Sequence, residues 1–166
     1  MGEMSARIGM PLLAAGQAQK EVYHNEALTI VDIVLEGAVE DHLVADPPAS
    51  PSEGQCWIVA ASPSGDWAGR AGQVAGWTAG GWRFVSPRPG MAFWHIPAGC
   101  LVRYDGSAWQ IGQVTGSALV IDGVQVTGAQ EPAIADPAGG ATVDAQCRTA
   151  LAQVLAALRS HGLIAT

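Results

Sequence analysis

The sequence predicts an α+β fold: a small antiparallel β-barrel or curled sheet of about five or six strands, with an N-terminal helix, an extra β-hairpin and a C-terminal helix. Three observations predict it. The run from Leu28 to Leu43 is largely apolar, with Thr29, Asp32, Glu36 and Glu40 on one narrow polar stripe. The tract from Gly65 to Gly112 breaks about every eight to ten residues at Gly, Pro or Asp-Gly, the rhythm of short antiparallel strands. A heptad-like apolar seam then closes the chain. These features divide it into four segments: 1–46 with an oligomerisation or attachment helix, 47–112 as a Trp-rich β-domain, 113–140 as a hairpin and linker, and 141–166 as a second oligomerisation helix.

The first helix is predicted from an N-cap at Asn25, with Glu26 placing negative charge in the first turn, to about His42. Its polar positions Thr29, Asp32, Glu36 and Glu40 make one stripe, and nearly everything else is apolar. A helix apolar on all but one stripe predicts burial against its own β-domain on one side and a neighbouring subunit on another. That makes Leu28, Val31 and Leu35 candidate interface residues. The alternative is a helix wholly enclosed by its own fold.

Residues 45–55 hold three prolines, Pro47, Pro48 and Pro51, and read as a stiff linker into a strand from Gln55 to Ala61. Beyond it lies a weak internal repeat. Val74 to Val85 aligns with Leu101 to Gly112, setting Trp77 and Trp82 against Tyr104 and Trp109 across four turn residues. Each copy reads as a hairpin with aromatics facing across its strands. Asp122-Gly123 is a two-residue hairpin turn, and residues 131–140 form a second Pro, Ala and Gly-rich linker.

The last helix is predicted from near Thr142 to Gly162, where Leu158 and Leu163 suit the apolar contact of a Schellman cap. Cys147, Leu151, Val154 and Leu158 are spaced four, three and four apart, and Leu155 widens the face. A seam of about two heptads is too short to stand alone and suits a small symmetric bundle, unless it packs back on its own domain.

Composition excludes several functions. Charged residues are 14% against 49% apolar, and the net charge is −7, with eight Lys and Arg and no basic run. So few charges predict a surface that meets another chain. No cluster of cations is available for nucleic acid, and no apolar stretch is long enough for membrane insertion. Without a secretion signal, synthesis in the cytoplasm is expected.

Cys56, Cys100 and Cys147 are far apart in sequence and outside any C-x-x-C pair, so neither a disulfide framework nor a cysteine zinc site is expected. The four histidines, His24, His42, His95 and His161, are likewise dispersed and read as structural. Asp66, Asp105 and Asp122 sit in glycine-containing turns, where a carboxylate satisfies nearby N–H groups. With no hydrolase, metalloprotease or nucleotide motif present, the sequence predicts no enzyme, no cofactor and no metal.

Aromatic residues remain. Trp57, Trp67, Trp77, Trp82, Trp94, Tyr104 and Trp109 are concentrated in the β-domain, several beside turns. They either fill the core and intersubunit seams or offer flat faces on which sugar rings stack. Trp67, Trp94, Trp77 and Trp109 are the candidate glycan-binding residues. Trp67 and Trp94 are expected to be the most exposed, because they lie outside the paired hairpin positions.

The run Pro11-Leu-Leu-Ala-Ala-Gly-Gln-Ala-Gln-Lys-Glu-Val-Tyr-His-Asn-Glu-Ala-Leu28 resembles the opening of an uncharacterised domain family. That family recurs in spike and fibre proteins of alphaproteobacterial phages, prophages and phage-like gene transfer agents. The likeness continues through Pro47 to Gln55, Trp57-Ile-Val59, Gly65 to Gly69, Gly72 to Ala75, Gly80-Gly-Trp82 and Pro87 to Gly90, over roughly residues 8 to 110. Asp144 to Ile164, except Cys147, also resembles the C-terminal tails of phage fibre and spike proteins.

The resemblance implies a structural subunit of a phage-like particle, a head spike of a gene transfer agent, assembled at the virion surface. It would link the particle to a fibre or to host surface polysaccharide. The alternative is a tail-fibre or glycan-binding adhesin module. Implied partners are copies of the chain, as a pentamer or trimer, together with capsid or tail proteins and a partner fibre protein.

Overall fold

The computed structural model describes residues 3–16, 20–35, 37–141 and 144–166. They fall into two units that divide between Gln113 and Val114.

In the first unit, helix α1 (Lys20–Leu35) precedes strands β1 (Ala38–Val39), β2 (Asp41–Val44) and β3 (Cys56–Val59), then a 3-10 turn (Gly65–Trp67). Strands β4 (Val74–Thr78), β5 (Gly81–Val85), β6 (Ala92–His95), β7 (Cys100–Tyr104) and β8 (Trp109–Ile111) follow. They form two four-stranded sheets, ordered β1-β6-β7-β8 and β2-β3-β4-β5. The α+β class is the one predicted. The strands of this unit number eight, not five or six, and do not close into a barrel.

The reason lies at residue 40. The chain leaves β1 at the edge of one sheet and enters β2 at the edge of the other, and the Glu40 N–H bonds to Cys56 O at 2.8 Å. Both crossover strands pair in parallel, β1 with β6 and β2 with β3, while the other pairs in these sheets are antiparallel. The two repeat hairpins form as predicted, with Trp77 opposite Trp82 and Tyr104 opposite Trp109. They lie in different sheets.

The first helix departs from expectation at both ends. It starts at Lys20 and stops at Leu35, and residues 38–42, assigned to the helix from sequence, instead form β1 and the start of β2 on either side of Glu40. Pairing overrides propensity here: a Cβ on Gly37 would lie 2.9 Å from Ala92 O, so the chain passes there hard against the start of β6. Asn25 is inside the helix and not its N-cap. Its side-chain amide accepts from Leu13 N–H and donates to Leu13 O, both at 2.9 Å.

The expected polar stripe also fails at Asp32, which is buried. Its carboxylate accepts from Ser5 Oγ and from the N–H groups of Arg7 and Ile8 at 2.8–2.9 Å, pinning the N-terminal segment. Glu36 lies outside the described residues. The segment 1–46 is therefore part of the β-domain's unit and supplies two of its strands.

Alternation along β3 builds two cores. Cys56 and Ile58 face a cluster with Ile33, Val39, Val74, Phe93, Val102 and Trp109, drawn from α1 and both sheets. Trp57 and Val59 face the other way, into a cluster with Trp67 and Ala75, flanked by Trp77, Trp82 and Phe84. Strand β3 is consequently buried on both faces.

The second unit holds the hairpin β9 (Leu119–Ile121) and β10 (Val124–Thr127) and helix α2 (Ala145–Ser160). Asp122 and Gly123 both have positive φ, 49° and 78°, as a two-residue primed turn requires. Asp144 caps α2 by accepting from Cys147 N–H at 2.8 Å, two residues after the predicted start at Thr142, which lies outside the described residues. The other end is the Schellman motif the sequence predicts: Leu163 N–H bonds to Leu158 O, Gly162 N–H to Arg159 O, and Gly162 has φ 71°. Residues 131–140, read as a linker, are tied to α2 and the chain's end. Arg159 holds Asp136 at 3.0 Å and also the Ile134 carbonyl, Arg148 holds the Gly139 carbonyl, and Glu131 bridges to Ile164.

Candidate functional site

The four candidate glycan-binding tryptophans are not gathered into one face. Trp67, expected to be exposed, is 0% exposed and lies at the centre of the second core. Trp67 ends the 3-10 turn and packs against Trp57 and Trp82 at ring separations of 6.2 and 5.1 Å. Trp109 is also buried, between the sheets, with its Nε1–H donated to Gly72 O at 2.8 Å. Trp67 has no open face for a ligand, whereas Trp109, though buried, borders a cavity of about 510 Å³ with Leu43, Pro87 and Tyr104. Trp94 is exposed as expected, on the outward face of β6 opposite Leu101.

Trp77 lines a groove with a second indole. It stands on β4 beside Trp82 of β5, edge-to-face at 4.9 Å, and both are half-buried. Pro47, Pro48, Ala49, Ser50 and Pro51 form the opposite wall and Asp66 one end, enclosing about 420 Å³. The three prolines restrict the backbone of this wall. Ser64 secures its approach by donating Oγ–H to Asp46 Oδ1 and N–H to Ala45 O. Two indoles, a rigid apolar wall, a carboxylate and a hydroxyl can take a flat ring that carries hydroxyl groups. Trp82 was not among the sequence candidates, although its cross-strand position opposite Trp77 could have identified it.

A second constellation was invisible in sequence. His42 and His95 come within 3.1 Å of each other, Nδ1 to Nε2, and Asp41 Oδ1 lies 3.2 Å from the same Nε2. In a regular strand Asp41 and His42 point to opposite faces. Here both reach His95, because the β2–β3 register shifts between Asp41 and Val44 and Leu43 adopts φ 56°. A leucine in that region costs about 1–2 kcal/mol, strain that glycine would avoid. Burial works against ionisation of Asp41, but hydrogen bonds from His42 N–H and His95, with the charges of both rings, outweigh it and hold this carboxyl below its usual value.

The cysteines offer no comparable site. Cys56 is buried, accepts from Arg7 at 2.9 Å and has its thiol pushed up to about 11 by burial, so it is not a nucleophile near neutrality. Cys147 is exposed on α2. Among the described residues no helix is long and apolar enough to cross a membrane.

Residues 24–110, just over half of the chain, match the family described as "Protein of unknown function (DUF2793)". The chain belongs to the DUF2793 family. No curated protein matches it. The DUF2793 segment takes in most of α1, the strands through β7, the Trp77–Trp82 groove and the Asp41–His42–His95 cluster. It stops short of β9, β10 and α2.

Proposed function

We propose that the protein is a structural subunit of a phage-like particle, a head spike of a gene transfer agent, in which the DUF2793 unit contacts a partner fibre or host surface polysaccharide. The second unit, residues 114–166, holds copies of the chain together. The observation that carries this reading is the apolar surface of that unit. Leu119, Val120, Ile121, Val124 and Val126 are each more than half exposed, on both faces of a hairpin that two strands alone do not stabilise in water. Leu151 and Val154 add an exposed seam on α2. The likeness of residues 11–28 and 144–164 to phage spike and fibre proteins gives this assembly its class.

On α1, Val31 and Leu35 are exposed and Leu28 half-buried, which leaves the expected interface face open. Leu155 does not belong to an interface: it is buried, as is Ile164 at the chain's end. The second reading, a glycan-binding adhesin module, is favoured by the groove between Trp77, Trp82 and the proline wall. The two readings coexist if the groove is what a spike presents to the cell.

One experiment addresses both. Particles purified from producing cells carry the chain in fixed ratio to the capsid protein, by mass spectrometry. Particles bearing Trp77→Ala or Asp66→Asn keep that ratio and bind isolated host capsular polysaccharide roughly tenfold more weakly, a loss of about 1.4 kcal/mol. Particles that lack the chain overturn the spike assignment, and unchanged binding overturns the polysaccharide assignment alone.

A further inference from the structure

Asp41, His42 and His95 bring three good ligands for a transition metal to one point. Asp41 Oδ1, His42 Nδ1 and His95 Nε2 form a triangle with sides of 3.1, 3.2 and 3.7 Å. A tetrahedral zinc ion bonded to nitrogen and oxygen at about 2.0–2.1 Å sets its ligand atoms about 3.3–3.4 Å apart. Octahedral coordination at the same bond lengths sets neighbouring ligands about 2.8–3.0 Å apart. The observed sides bracket the tetrahedral value, and all three exceed the octahedral one.

We propose that Asp41, His42 and His95 form a zinc site that ties the two sheets of the DUF2793 unit together where the chain steps from β1 to β2. His42 and Asp41 come from the edge of one sheet and His95 from the other sheet. His95 is buried, whereas the Asp41 side chain is 56% exposed, so three protein ligands leave the fourth position to water on the open side. The register shift and the left-handed Leu43 are the local distortion that brings two consecutive residues to the same ion.

The proton count gives the site a signature. Ala98 N–H donates to His95 Nδ1 at 3.1 Å, so neutral metal-free His95 carries its proton on Nε2, between Asp41 and His42. Zinc takes the Nε2 lone pair. The imidazole proton then belongs on Nδ1, where it meets the Ala98 N–H head on, and that amide must turn to solvent. Residues 96–99 form an exposed turn that permits this.

The test uses the full chain stripped with chelator and titrated with zinc chloride by calorimetry, thermal unfolding and amide NMR. One zinc binds per chain, the melting temperature rises, and the Ala98 amide resonance shifts. His42→Ala and Asp41→Asn, at positions outside the packed core, each weaken zinc binding by about 100-fold or more and remove the rise in melting temperature. His95→Ala is avoided because it opens a buried cavity. Zinc bound equally well by both variants, as exposed Cys147 or His161 would bind it, overturns the proposal. So does binding that leaves the melting temperature or the Ala98 resonance unmoved.

Discussion

At the residue scale, single polar side chains do the work that sequence pattern assigned to whole elements. Asp105 is the clearest case. Its carboxylate accepts from the N–H groups of Ala108 and Ser107 at 2.8 and 2.7 Å, from Ser107 Oγ and from Gln110, closing the β7–β8 turn. These bonds, led by the Ala108 and Ser107 backbone, hold its pKa well below the usual carboxylate range, although the group is exposed. A folded-state pKa depressed in this way contributes stability that is fully present above the unfolded value, about 3.9, and is lost as pH falls through the folded one. Asp105→Ala therefore lowers the melting temperature at neutral pH, and the gap to the unaltered protein narrows as pH drops below about 4. Melting curves across that range check it, and a gap that stays constant to low pH overturns it. Asp105 was legible in sequence as a turn carboxylate because its partners lie within five residues. Asp32 was not, because its partners Ser5, Arg7 and Ile8 lie 24 to 27 residues away.

At the element scale, the contact between α1 and the sheets turns on one glycine. A Cβ built on Gly76 of β4 would lie 2.6 and 2.8 Å from Ile33 Cδ1 and Cγ1, and Ile33 is buried in the first core. Gly76→Ala costs about 1–3 kcal/mol by overpacking. Combined with Ile33→Val, which gives back the volume of a methyl group, it costs less than the sum of the two single changes. Denaturant unfolding of the three variants checks this, and strict additivity shows that Gly76 and Ile33 do not share the space. The two repeat hairpins, the Asp122-Gly123 turn and the Schellman end of α2 were readable because turn chemistry is local. The division of strands into two sheets was not, since it depends on the parallel pairs β1–β6 and β2–β3, whose partners no short-range pattern specifies. Meeting across the two sheets, His42 and His95 inherit the same limit: they are 53 residues apart and became a site only through pairings the sequence does not announce.

At the scale of the whole molecule, apolar surface is distributed unequally between the two units. The first unit encloses two cores and buries three of its six tryptophans, whereas of residues 114–166 only Leu155 and Ile164 are buried apolar side chains among those described. A chain with 14% charged residues and that hairpin exposed has little to keep it dispersed as single copies. Closed symmetry is the usual outcome, and the proposed particle location would narrow it: a fibre is expected to be threefold, whereas a spike base at an icosahedral vertex matches a fivefold axis. Light scattering of the full chain therefore gives a stable pentamer or trimer. Leu151→Glu and Val154→Glu lie on the exposed seam and spare buried Leu155, so they reduce the mass while leaving the circular dichroism of the fold unchanged. A pentamer places the protein at a vertex, and a trimer lost in these variants places it in a fibre. A monomer throughout would sink the assembly reading and leave the Trp77–Trp82 groove as the basis of a free-standing glycan-binding domain.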